Sequence, residues 1–178
     1  MKNRTRLPQL LALMISAIAI VGFFLPYISS TSEYTAYLKS HGDETVYSES
    51  DVKIRDLDNV SMFEYSKIYF QGGQEIFHDT FPGIFYGIVF SLPFVMGILA
   101  LLSSLRKHAT PLLFISALMF YVIRMLNWDT IDRGIMPSSG RIWGITHMMY
   151  YPCAVALFIC GIWLFAVKRK TKKEAHVA

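Results

Sequence analysis

Five polar residues at the junction of two long apolar runs carry side chains that could bind a small charged molecule. They are Arg124, Asp129, Asp132, Arg141 and His147. An ionisable residue inside or beside an apolar span is costly, so it is usually paired or functional. Guanidinium, carboxylate and imidazole groups together can hold an anionic or zwitterionic ligand. Together with Arg133, these residues predict a polar, ligand-binding pocket at the junction of the two apolar runs.

Other roles for Arg124 and His147 involve no ligand. Arg124 lies four residues before Trp128, close enough to a membrane interface for its long side chain to reach outward. Asp129 and Asp132 are its natural ion-pair partners, so a structural role stays open, as does a contact with another membrane protein. His147 could titrate near neutral pH or bind a metal, and the alternative is a hydrogen-bonded packing role.

Catalytic and metal-binding motifs are absent from the sequence. The potential ligands His41, Asp43, Glu44, His78 and Asp79 do not follow the spacing of a zinc site or an EF-hand. There is no Gly-rich phosphate loop, no G-x-S-x-G motif and no H-E-x-x-H helix. We therefore expect no enzymatic activity, no metal and no cofactor.

A predicted amphipathic helix offers a second candidate site. Ser61 and Glu64 match a capping box, so a helix should begin there, run to about Phe70 and stop at Gly72 and Gly73. Its aromatic residues are too apolar for a fully solvated helix, so they should face a partner protein, the membrane surface or a small sheet. The residues predicted to meet a partner are Phe63, Tyr65, Tyr69 and Phe70.

This helix belongs to an acidic segment, 30–81, with ten acids and four bases. Thr31–Lys39 has the composition of a strand, a turn is expected at His41–Asp43, and Thr45–Leu57 has spaced apolar residues. The segment should fold as a β-hairpin or short sheet plus the amphipathic helix. A sequon at Asn59 is meaningful only in a eukaryotic protein.

Four uncharged runs set the architecture of the chain, in which 53% of the 178 residues are hydrophobic. A helix of about 20 apolar residues crosses a bilayer. We therefore predict an all-α membrane protein, a four-helix transmembrane bundle with a small extracytoplasmic α+β loop domain. The predicted segments are a first span at 7–29, the loop 30–81, spans at 82–105 and 109–128, a short outer loop at 129–141, a fourth span at 142–167 and a basic tail at 168–178.

Small residues indicate where helices should pack closely. Ala12, Ser16 and Ala19 recur on one face of the first span. Gly83 and Gly87, near the start of the second span, form a G-x-x-x-G pair. Such a pair should admit a neighbouring helix.

The positions of the basic residues predict the orientation. The segments 2–6, 106–107 and 168–173 hold ten of the 17 Lys and Arg residues. By the positive-inside rule both termini should be cytoplasmic, in a multi-pass protein of the plasma or cell membrane. A signal peptide cleaved near Ala17–Ala19 is the alternative for the N-terminus. Because the bases lie at membrane edges, the net charge of +4 does not indicate nucleic-acid binding.

The basic tail is also a candidate lipid contact. Clustered bases beside a membrane end attract anionic lipid, and the alternative is a simple topology anchor. The residues concerned are Lys168, Arg169, Lys170, Lys172 and Lys173.

The layout resembles tetraspan proteins of the claudin-like type, with four spans, a folded first outer loop and cytoplasmic termini. The first loop here has neither Trp nor Cys, so the W…GLW…C…C signature is missing and junction formation is not implied. We expect an integral membrane accessory protein that binds another membrane or envelope protein through its acidic outer segment and aromatic helix. The alternative is a small transporter or ligand-binding membrane protein that uses the polar pocket, and a homo-oligomer is compatible with either.

Overall fold

The computed structural model describes residues 5–46, 52–136, 138 and 140–177. These residues form six α-helices and three short strands, so the predicted mostly helical chain with a small sheet is confirmed. The helices are α1 (Arg6–Gly22), α2 (Ser32–Ser40), α3 (Met62–Phe77), α4 (Thr80–Leu105), α5 (Ala109–Asp132) and α6 (Ile145–Val177). The strands are β1 (Pro26–Ser30), β2 (Asn59–Ser61) and β3 (Arg141–Trp143), and a 3-10 turn covers Ile54–Leu57.

Three of the helices are long and apolar enough to cross a membrane. They are α4, α5 and the part of α6 from Ile145 to Glu174, with mean hydropathies of 2.3, 1.8 and 2.0. Many large apolar side chains on them are exposed, as is usual where a helix faces lipid. The chain therefore has the properties of a membrane protein.

The first helix is shorter than the predicted 7–29. It ends at Gly22, and residues 26–30 form β1 instead. Pro26 explains the difference, because proline has no N–H to donate and disfavours a helical conformation at the residue before it. At 17 residues, α1 is an apolar helix below the length of the other three.

The described chain divides into two compact units. The first is built from segments within Met1–Val21, Pro93–Ile123 and Tyr150–Ala178. In it the predicted small-residue face of α1 is confirmed as a packing face, since Ala12, Ser16 and Ala19 are all buried. The Tyr150 hydroxyl donates a hydrogen bond to the Ala19 carbonyl at 2.9 Å, which joins α6 to α1.

The second unit combines Gly22–Leu92 with Arg124–Met149 and contains the sheet. Its strand order is β2-β1-β3, with both pairs antiparallel. Ile28 of β1 is fully buried and lies opposite Val60 on one side and Trp143 on the other. The central strand therefore has hydrogen-bonded neighbours along both edges.

The strands are not where the sequence predicted them. Thr31–Lys39, predicted as a strand, forms α2, because Thr31 caps a helix by accepting a hydrogen bond from the Tyr34 N–H at 3.5 Å. In the second predicted strand, Thr45 pairs with Lys53 in an isolated antiparallel bridge and Ile54–Leu57 is a 3-10 turn. Residues 47–51 of that segment lie outside the described residues.

The predicted start of α3 is confirmed and its predicted end is wrong. The Ser61 N–H donates to Glu64 Oε2 at 2.6 Å, and the Glu64 N–H donates to Ser61 Oγ at 3.1 Å, which makes the capping box. The helix continues through Gly72 and Gly73 and ends at His78, which adopts a left-handed conformation with φ of 57°. Gly72 and Gly73 therefore do not end the helix, and their role is a different one.

Gly73 lets α3 cross closely over the start of α4. A Cβ atom at position 73 would lie 2.6 Å from the Cα of Gly83, nearer than atoms can approach. The Phe70 ring packs on Gly87, where a Cβ atom would lie 2.8 Å from the ring. The G-x-x-x-G pair of α4 therefore admits a neighbouring helix, as predicted, and that helix is α3.

We expect Gly73→Ala to destabilise the protein by about 1–3 kcal/mol, because the new methyl group meets backbone rather than a movable side chain. In an unconstrained helix the same change would be stabilising by about 1 kcal/mol, so the sign is informative. Unfolding in mixed micelles measures it, with Lys170→Ala, an exposed helical position on α6, as the control. A variant as stable as wild type would contradict the close crossing.

Candidate functional site

The second unit contains a cavity of about 370 Å³ that joins three parts of the chain. Its volume lies within the range of small-molecule sites. One wall comes from α3, another from the segment that leads into β2, and the third from residues at and beyond the end of α5. The lining residues are Val46, Leu57, Val60, Tyr65, Ile68, Tyr69, Ile76, Arg133, Ile135 and Arg141.

The apolar part of this cavity belongs to the core of the second unit. Val52, Val60 and Ile68 are buried together, and half-buried apolar side chains from α3 and the 3-10 turn pack against them. Because β2 runs directly into α3, Val60 and Ile68 are held on adjoining elements. The apolar wall is therefore built by packing that the fold needs in any case.

Arg133 enters the cavity from the end of α5. Its Nε lies 3.0 Å from Asp129 Oδ2, an i,i+4 ion pair in which about a quarter of each side chain is exposed. Its guanidinium carbon lies 4.0 Å from the centre of the Tyr86 ring, a cation-π contact. Neither Nη atom has a hydrogen-bond partner among the described residues, so both remain available as donors.

Arg141, in β3, is the second cation of the cavity. Its guanidinium carbon lies 5.3 Å from the centre of the Tyr34 ring, and Nη1 donates to the Leu57 carbonyl at 3.4 Å. Within the described part of the chain, no carboxylate lies within 4 Å of it, in contrast to Arg133. The positive charge of Arg141 is therefore not neutralised by an ion pair there.

Tyr65 adds a hydroxyl group to the same cavity. Burial raises the pKa of this phenol above its ordinary value of 10.0, and the nearby Arg141 charge opposes part of that rise. The hydroxyl is thus neutral at physiological pH and able to donate a hydrogen bond. Two guanidinium groups and the phenols of Tyr65 and Tyr69, with no acid among the lining residues in the described part of the chain, make the polar side of the cavity suitable for an anion.

The structure separates the residues of the predicted polar pocket. Arg141 lines the cavity, and Asp129 reaches it only through its ion pair with Arg133. Arg124 and Asp132 are exposed, and in the described residues they share no ion pair with each other or with Asp129. His147 stacks on Trp143, with ring centres 4.1 Å apart, and does not line the cavity.

The predicted partner surface on α3 also divides into two sets. Phe63 and Phe70 are 47% and 50% exposed. Tyr69 is buried and packs against Phe90 and Tyr86, Tyr65 is half-buried, and both line the cavity. Only the two phenylalanines present a large apolar surface outward.

Sequence reasoning missed the apolar wall of the cavity and the role of Tyr65. The signal was the spacing of Tyr65, Ile68, Tyr69 and Ile76, which places them near one face of a helix. That face could have been recognised as inward-pointing, but nothing in the spacing shows that Arg133 and Arg141 lie opposite it. Their proximity depends on the pairing of β3 with β1.

Comparisons with protein-family models, curated proteins and solved structures gave no match for this chain.

Among the described residues there is no group of three or more His, Cys, Asp or Glu side chains arranged to hold a metal ion.

The raised pKa of Tyr65 predicts an alkaline loss of stability. Well below pH 10 the phenol is neutral whether the chain is folded or unfolded, and as pH rises through 10 the unfolded chain ionises first, so the free energy of unfolding falls as pH rises. We expect this fall to be smaller in Tyr65→Phe. Chemical unfolding of both proteins from pH 9 to pH 11.5 measures it, and parallel curves would contradict the burial of the phenol.

Proposed function

We propose that this protein is an integral membrane protein that binds a small amphiphilic anion in the cavity between α3 and the segment from Arg133 to Arg141. The role is binding rather than catalysis. The observation that carries the proposal is Arg141, a cation without a carboxylate partner among the described residues, in a cavity whose other walls are largely apolar.

The two sides of the cavity favour different parts of such a ligand. Guanidinium groups form charge-assisted hydrogen bonds with carboxylates or phosphates, often with two donors at once. The valine, leucine and isoleucine side chains gain by covering a hydrocarbon chain, at roughly 25 cal/mol per Å² removed from water. A carboxylate or phosphate attached to a short alkyl chain uses both sides, whereas a simple inorganic anion uses only one.

A four-span topology is part of this proposal. The exposed face of α1 carries Leu7, Leu10, Met14, Ile18 and Val21. A helix with such a face and a buried stripe of small residues is suited to lie between lipid and other helices. With four spans and basic segments on one side, both termini are cytoplasmic and the cavity opens to the extracytoplasmic side.

Octanoate and octyl phosphate are suitable probes. We expect them to bind saturably to the full-length protein in phosphatidylcholine nanodiscs, as measured by isothermal titration calorimetry. Arg141→Gln should lose about 1.5–3 kcal/mol of binding free energy, roughly a 10- to 150-fold rise in Kd, because a charged donor is lost. Octanol, which has the same chain without the charge, should bind weakly.

Arg124→Gln is the matched control, since it removes the same charge from an exposed position outside the cavity. It should leave the Kd unchanged. Equal melting temperatures of the two variants would show that both are folded. Equal Kd values for wild type and Arg141→Gln would refute the site, as would octanol binding as tightly as octanoate.

A second candidate function is the binding of another membrane or envelope protein through α3. It is favoured by the exposure of Phe63 and Phe70, which lie seven residues apart and so share one face of the helix. The Phe63 ring also meets the Phe23 ring edge to face and the Phe24 ring at a tilt, so it is held in place. Rigid exposed aromatic residues are common anchors at protein interfaces.

Photo-crosslinking in native membranes tests this second function. A photoreactive amino acid at position 63 or 70 should trap one defined protein partner. The same group at position 69, which is buried, should trap little and serves as the control. If positions 63 and 70 give only lipid adducts, the exposed face meets the bilayer and the partner hypothesis fails.

A further inference from the structure

The first unit has a groove of about 520 Å³ where the start of α5 lies beside the last third of α6. It is a separate site from the cavity described above. From α5 and the residue before it come His108, Ala109, Thr110 and Pro111, and from α6 come Phe165, Lys168, Arg169 and Lys172.

The cations of this groove are a subset of the basic tail. Lys168, Arg169 and Lys172 are at positions i, i+1 and i+4, which places them on one side of a helix. Lys170 and Lys173 belong to the same run but do not line the groove. None of the three lining cations has an ion pair with a carboxylate in the part of the chain that the structure describes.

Apolar residues continue the groove toward the apolar part of α6. The Phe165 ring is about half exposed, and Pro111 is exposed on the facing helix. A free inorganic anion would leave this apolar surface uncovered. A phospholipid would cover it, because its phosphate can contact the cations while its glycerol and the first acyl carbons pack on the ring.

We propose that this groove binds the phosphate headgroup of an anionic phospholipid. The proposal depends on the membrane location of α5 and α6 and is independent of the ligand of the other cavity. It assigns the lipid to one side of the tail, Lys168, Arg169 and Lys172, rather than to the whole basic run. The tail is then part of a built site and not only a diffuse positive charge.

Two double variants with the same change of charge separate a site from a diffuse charge. Lys168→Gln with Lys172→Gln removes two cations from the groove, and Lys170→Gln with Lys173→Gln removes two from outside it. Native mass spectrometry of the full-length protein, released from nanodiscs of phosphatidylglycerol and phosphatidylcholine, measures the lipid retained. We expect phosphatidylglycerol binding to fall roughly 30-fold in the first variant and less than threefold in the second.

Three outcomes would overturn the proposal. Equal losses in the two double variants would mean a diffuse electrostatic attraction. Equal retention of phosphatidylcholine and phosphatidylglycerol would remove the requirement for net negative charge. Displacement of the lipid by millimolar inorganic phosphate would identify a free anion as the ligand. Circular dichroism and melting temperature of each variant verify that it is folded, and Phe165→Ala, which keeps every charge, should also weaken lipid retention.

Discussion

The second unit depends on completing the hydrogen bonds of β1, a strand that follows an apolar helix after only three residues. Unpaired backbone groups are costly near the apolar part of a membrane, so such a strand needs partners on both edges. Here β2 and β3 provide them. Side chains complete the arrangement, since the buried Tyr27 hydroxyl donates to Asn127 Oδ1 at 2.6 Å and the Thr146 hydroxyl lies 2.7 Å from the Gly22 and Leu25 carbonyls. The same pairing brings the walls of the cavity together, because β2 leads into α3 and β3 carries Arg141.

The features that the sequence predicted well are those set by neighbouring residues. The long apolar runs, the capping box at Ser61 and the buried stripe of Ala12, Ser16 and Ala19 each follow from spacing along one helix. Local hydrogen bonds and helical periodicity are sufficient to specify them. The close approach allowed by Gly83 is of the same kind, although the sequence did not identify α3 as the helix that uses it.

The features that the sequence did not predict depend on residues far apart in the chain. Pro26–Ser30 forms a strand because residues 59–61 and 141–143 pair with it, and no local pattern in the sequence predicts this pairing. Gly72 and Gly73 have the composition of a helix stop, yet tertiary contact with α4 keeps them helical. Likewise, Tyr65 and Tyr69 face inward only because the cavity and α4 lie on that side. The location of the candidate site is therefore a property of the tertiary structure, whereas its cationic character was already visible in Arg133 and Arg141.

The order of the strands along the chain has a consequence for biosynthesis. Ile28 leaves the ribosome early, whereas its partner Trp143 follows more than one hundred residues later, after α4 and α5. Until then, one edge of the central strand lacks its partner from β3, and such an edge can pair with other chains. The sheet can therefore be completed only after residues 141–143 have been synthesised and have reached β1. A chain halted before residue 141 would keep that edge of β1 without its β3 partner and open to pairing with another chain.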